Sequence, residues 1–133
     1  MAIQYTTEIR DAKMNQIEAT IGVGGGITLN IFTGAAPSAT TDANTGTLLV
    51  DIVLPNDWLT ASSSGTVGKV GTWEETNAPG AGVAAHFRIH ETNECHMQGT
   101  VGQGSGDLSL DNTTIAATQT VTITQFDLTD GNA

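Results

Sequence analysis

The sequence predicts an all-β fold: a single antiparallel β-sandwich of jelly-roll type that carries a short N-terminal helix. Three observations predict it. Apolar and polar residues alternate in short runs, as in VAAHFRIHE (83–91) and QTVTITQ (119–125), which is the period-2 signature of half-buried strands. The runs are separated by segments rich in Gly, Asn, Asp, Ser and Thr, residues that form turns. A single stretch, TEIRDAKMNQIEATIG (7–22), has apolar residues near helical spacing. At 133 residues the chain is long enough to bury a core without crosslinks and fits one domain.

The elements follow in order. In the helix, Thr7 is placed to cap and Glu8 favours the positive end of the dipole, while Ile9, Met14, Ile17 and Ile21 form the apolar side and Gly22 ends it. Residues 1–22 read as an arm and 23–133 as the sandwich. The helix has two readings: a docking arm for a partner, or a cover over one open end of the sandwich. The GVGGG run (22–26) reads as a hinge. It lacks the preceding strand, following helix and lysine of a phosphate-binding loop.

ITLNIFTG (27–34) alternates through Ile27, Leu29 and Ile31, and GAAPSATTDANTG (34–46) is a long polar loop suited to a surface excursion or a switch between sheets. TLLVDIVLP (47–55) places Leu48, Val50, Ile52 and Leu54 on one face and Leu49 and Val53 around Asp51 on the other. It reads as a central strand covered on both sides. Pro55 stops it, and Trp58 folds back onto the core. TVGKVGTWEE (66–75) reads as a glycine-rich edge strand, its edge position marked by Lys69. In VAAHFRIHE, Val83, Ala85, Phe87 and Ile89 face the core, and Ala84, His86, Arg88 and His90 face away, with the two histidines exposed. Val121 and Ile123 share one parity and Phe126 and Leu128 the other, which predicts a bulge near Gln125.

Composition narrows the function classes. Four basic residues against 14 acidic give a net charge of −10, which repels phosphate backbones and argues against direct nucleic-acid binding. The single cysteine, Cys95, precludes an intramolecular disulfide, fits folding in a reducing cytoplasm and reads as a small half-buried side chain. No run approaches the length of a membrane span, and the N-terminus lacks the pattern of a signal peptide.

Chemistry-bearing motifs are sparse. His86 and His90 lie four residues apart, roughly 13 Å along an extended strand, too far to chelate one ion. His96 beside Cys95, with Glu91 and Glu94, lacks the paired spacing of a zinc motif. DANTG (42–46) and GDLSLDN (106–112) offer oxygens to calcium without the ligand order of a calcium loop; Asp and Asn also simply favour turns. No nucleophile elbow is present. The expectation is a non-enzyme with no catalytic residues, no metal and no cofactor.

Across nearly its whole length the chain resembles small virion structural proteins of tailed bacteriophages, of the capsid decoration or cement type. The resemblance rests on RDAKMNQIEATIG, GTLLVDIVLPNDW, HFRIHE followed by CHMQGTV, and GDLSLDNTTIAATQTVTITQFDLTDGN, in that order. It implies a β-sandwich on the outside of the virion, made in the host bacterial cytoplasm, that binds the major capsid protein and self-associates on the shell. A tail or head–tail adaptor component, and a receptor- or glycan-binding accessory, are the alternatives. On the arm, Tyr5, Ile9, Arg10, Lys13 and Met14 are the candidate capsid contacts, with loop 34–46 as a second surface.

Overall fold

The computed structural model describes residues 3–22 and 26–130, so the hinge reading of the glycine run falls mostly outside the described residues. Among the described residues one helix, α1 (Thr7–Ile21), precedes nine strands: β1 (Ile27–Thr33), β2 (Leu48–Val53), β3 (Thr66–Gly68), β4 (Glu74–Glu75), β5 (Gly82–Glu91), β6 (Glu94–Gly102), β7 (Leu108–Leu110), β8 (Thr114–Ile115) and β9 (Val121–Thr129). They form a curled mixed sheet, a half-barrel, in keeping with the all-β, sandwich-like expectation. The strand order is β2-β1-β5-β6-β7-β9-β3, with β4 also on β9 and β8 also on β5. All pairings are antiparallel except β6 with β7.

Register explains how the sequence fills the inside of the curl. Ile52, Leu29, Ile89 and Met97 align across β2, β1, β5 and β6. Val50, Ile31, Phe87 and Gly99 form the next row. The missing side chain at Gly99 has a purpose: a Cβ there would sit 2.8 Å from the Phe87 ring and 2.9 Å from the Asp107 carboxylate, closer than packed atoms tolerate. The far side of the core is aromatic. Trp58, Trp73, Phe126 and Phe87 run as a chain with centroid separations of 6.3, 5.5 and 5.5 Å, the last pair edge-to-face.

Several elements differ from expectation for identifiable reasons. The strand over 48–53 lies at one end of the sheet order, and Asp51 and Val53 on its outer face are exposed. Its free edge is nevertheless occupied, because the Asp51 N–H donates to Glu75 Oε2 at 3.3 Å, linking β2 to β4 by a side chain in place of a ladder. TVGKVGTWEE splits into β3 and β4, with the Trp73 carbonyl between them accepting from Ile123 N at 3.0 Å. Trp58 is fully buried, as expected. In β9, Ser109 pairs with Gln125 while Leu110 pairs with Ile123, so Thr124 is the extra residue of a bulge; this inverts the parity before Phe126. Thr6, one residue ahead of the expected cap, accepts from Ile9 N, and Gly22 at φ 113° terminates the helix.

The largest correction concerns β5. His86, Arg88 and His90 are buried, not exposed. Loop 34–46 does not switch sheets; it joins neighbouring strands β1 and β2 and folds back over the outer face of β5. Gly46 makes the return possible: its φ of +79° suits glycine, and a Cβ would strike the Thr33 carbonyl.

Candidate functional site

The arm residues separate into two groups. Met14 is buried in the core, so it does not face a partner. Arg10 donates through Nε and Nη2 to the Asp130 carbonyl at 2.9 and 2.7 Å, and through Nη2 to the Ser64 carbonyl at 3.2 Å. Lys13 pairs with the Asp130 carboxylate at 3.0 Å and lies 4.6 Å from the Tyr5 ring centroid. Ile9 and Tyr5 remain on the surface, with Ile3 beside them in sequence.

The helix is held to the body by its buried Met14 and Ile21 and by polar contacts with loop 57–65. Asp11 Oδ1 accepts from Ser62 Oγ and Gly65 N, both at 2.7 Å; Asn15 Oδ1 accepts from Ser62 N at 2.7 Å; Glu18 Oε2 accepts from Leu59 N at 2.6 Å. In the body, Trp58 Nε1 donates to the Gly22 carbonyl at 3.0 Å and fixes the helix end. The helix therefore covers its own sheet, whatever else it touches.

Two carboxyls in this joint titrate in opposite directions. Hydrogen bonds from Gly65 N–H and Ser62 hold Asp11 below its ordinary 3.8. Burial, reinforced by Asp57 and opposed by the Leu59 N–H, raises Glu18 above its ordinary 4.5. The stability that Asp11 contributes is present above its unfolded value and lost as pH falls through the folded one. For Glu18 the contribution is present below 4.5 and lost as pH rises through the folded value. Glu18→Gln, which mimics the protonated form, is thus expected to equal or exceed the native chain in urea midpoint at pH 7, with the difference shrinking towards pH 4. A lower midpoint at pH 7 would contradict this assignment.

A second cluster lies under loop 34–46. Across the outer face, Asp51, Asn30, Arg88 and Gln98 align on β2, β1, β5 and β6, and Asn30 Nδ2 donates to Asp51 Oδ1 at 2.9 Å. Arg88, only 1% exposed, grips the loop. Its Nη1 donates to the Asp42 carbonyl at 3.0 Å and Asn44 Oδ1 at 2.6 Å, and its Nη2 to the Thr40 carbonyl at 2.7 Å. Gln98 Nε2 donates to the Pro37 carbonyl at 2.8 Å, and His86 Nδ1 is 2.7 Å from the Gly34 carbonyl while its ring stacks on Phe32. Of the side-chain oxygens in DANTG that the sequence offered to calcium, Asn44 Oδ1 instead holds a guanidinium, joined there by the Asp42 backbone carbonyl. Burial, then Arg88 and His96, lower the His90 pKa from its ordinary 6.5.

At the β5–β6 hairpin, His96 Nε2 stands 3.6 Å from Glu91 and 3.9 Å from Glu94, and Cys95 Sγ, half-buried, contacts the Met97 carbonyl at 3.3 Å. Among the described residues no three His, Cys, Asp or Glu side chains are grouped to hold a metal ion. In GDLSLDN, Asp107 caps Thr100 and Asp111 accepts from Thr122 N at 3.3 Å, the work of turn residues. No helix among the described residues is long and apolar enough to cross a membrane.

Sequence reading passed over the Arg88 cluster because alternation specifies which residues share a face and not what covers that face. The available signal was a basic residue between two histidines on one parity, in a chain with a 13-residue polar loop between adjacent strands. Comparison of the chain with family models, curated proteins and solved structures gives no match.

Proposed function

We propose that this chain is a non-enzymatic bacteriophage virion structural protein, a capsid cement or decoration protein that binds the major capsid protein lattice on the outside of the head. The sequence resemblance motivates the reading. One structural observation supports it: of the five large apolar side chains most exposed among the described residues, three (Ile3, Tyr5 and Ile9) lie on the N-terminal segment, at 75%, 41% and 46% exposure. Exposed apolar side chains on one short segment of an acidic chain suit contact with another protein. Ile9 stands on a helix tied to the body, so its burial loses little ordering entropy. Repetition over a closed shell lets a modest contribution from each copy add up.

The reading is tested by adding an Ile3→Asp, Ile9→Asp double variant to heads stripped of the native protein. Both side chains are exposed, so thermal unfolding of the free variant should stay close to native, while retention on the heads should fall at least tenfold, the equivalent of about 1.4 kcal/mol. Undiminished retention would reject this contact surface. Immunogold labelling of intact virions checks the location: gold over the facets agrees with decoration, and gold confined to the tail favours an adaptor instead.

A further inference from the structure

We infer that the pocket between loop 40–44 and the β5–β6 hairpin is a binding site for a single carboxylate group, received by Arg88 and His90. The pocket has a volume of about 540 Å3 and is lined by Thr40, Thr41, Asn44, Arg88, His90 and Cys95 among others. Arg88 is buried and permanently charged, yet each of its three hydrogen bonds ends on a neutral oxygen. No carboxylate pairs with it among the ion pairs of the described residues.

Its donors are incompletely used. Of the five N–H groups on a guanidinium, the three on Nη1 and Nη2 that bind the loop leave Nε–H and one Nη2 hydrogen, and Nε has no partner. Nε and Nη2 form the edge of the fork that takes a carboxylate side-on. His90, 9% exposed, has its Nδ1 unpartnered on the same parity of β5. Buried polar groups without partners are uncommon, and a buried cation without a counter-charge more so.

The positive centre that this pocket offers an anion is Arg88, on a chain whose net charge is −10. Two carboxylates also line the pocket, Asp42 and Glu94. Asp42 Oδ2 is turned to Ala39 N at 3.0 Å, and Glu94 lies 3.9 Å from His96. Their presence limits the site to a monoanion and disfavours phosphate and sulfate. The carboxylate has two possible sources: a free small acid, or an acidic side chain of a protein seated on the hairpin.

The test uses the intact chain and its arginine side-chain Nε–H signals in a 1H–15N correlation spectrum. Only Arg10 and Arg88 contribute, and Arg10, bonded to Asp130, is the internal control. Sodium acetate replaces sodium chloride at constant ionic strength and pH 7. The expected result is a saturable shift of the Arg88 signal with Arg10 unmoved, and a thermal midpoint that rises over the same acetate range. Sodium sulfate should leave the Arg88 signal in place. A second titration uses the blocked peptide acetyl-Gly-Glu-Gly-amide: a response to acetate and peptide assigns a mouth open to protein carboxylates, and a response to acetate alone assigns a free small acid. An Arg88 signal unmoved by both, or moved in step with Arg10, overturns the inference and leaves buried water as the partner of these groups.

Discussion

Trp73→Ala is expected to lower the stability of the fold by about 3–5 kcal/mol, the range for removing a large buried aromatic. The indole is fully buried and packs at 6.3 Å on Trp58 and 5.5 Å on Phe126. Its Nε1 donates to the Val70 carbonyl at 2.9 Å, so truncation also strands that acceptor between β3 and β4. The neighbourhood cannot easily collapse into the hole. Trp58 is held by its own bond to Gly22, and the Trp73 backbone is fastened to β9 through Ile123. Urea unfolding followed by tryptophan fluorescence measures the effect, with Trp58 as the remaining reporter. Val53→Ser on the exposed face of β2 is the comparison and should stay within about 0.5 kcal/mol of native. Equal midpoints for the two variants would mean that the aromatic chain is not the centre of the core.

Arg88→Met is expected to destabilise chiefly one part of the molecule. The thioether keeps much of the apolar stem but abandons the Thr40 and Asp42 carbonyls and Asn44 Oδ1. An abandoned buried acceptor costs about 1–3 kcal/mol while it stays buried. The loop can relieve that cost by lifting into solvent, because its ends are held independently. His86 lies on the Gly34 carbonyl, and Thr47 N donates to Thr33 Oγ1 at 2.9 Å. Limited proteolysis should therefore cut the variant within 34–46 well before any cut in β1 or β2, and amide exchange should quicken in the loop while the β1–β5 ladder stays protected. A variant that unfolds globally with no preceding loop cut would show that Arg88 supports the sheet itself and not the loop.

These two sites show how unevenly the sequence encodes the molecule. Trp58 was legible as a core residue because a large aromatic near alternating strands has few other places to go. Trp73, on the parity of Lys69 in a stretch read as an edge strand, was not, and the structure buries it fully. Arg88 was legible only as a member of a polar parity. Its burial depends on a loop whose sequence, rich in Thr, Ala and Asn, has no apolar face to announce that it folds back. The carbonyls that hold Arg88 are backbone atoms, identical in every residue type, so composition cannot reveal them.

By itself the sequence determined the all-β class, the helix from Thr7 with its glycine stop, the inward parity of β1 and the centre of β5, and the bulge in β9. Each follows from spacing and turn chemistry within a few residues. Tertiary structure decided the rest. It placed β2 at the sheet's end, broke 66–75 into two short strands, committed Arg10 and Lys13 to Asp130 and sank Met14 into the core. It also turned the HFRIH parity into a buried polar layer under 34–46. The physical reason is common to all of these. Local pattern specifies which side chains share a face, but the neighbour that covers that face comes from distant sequence, and its polar contacts leave no periodic trace.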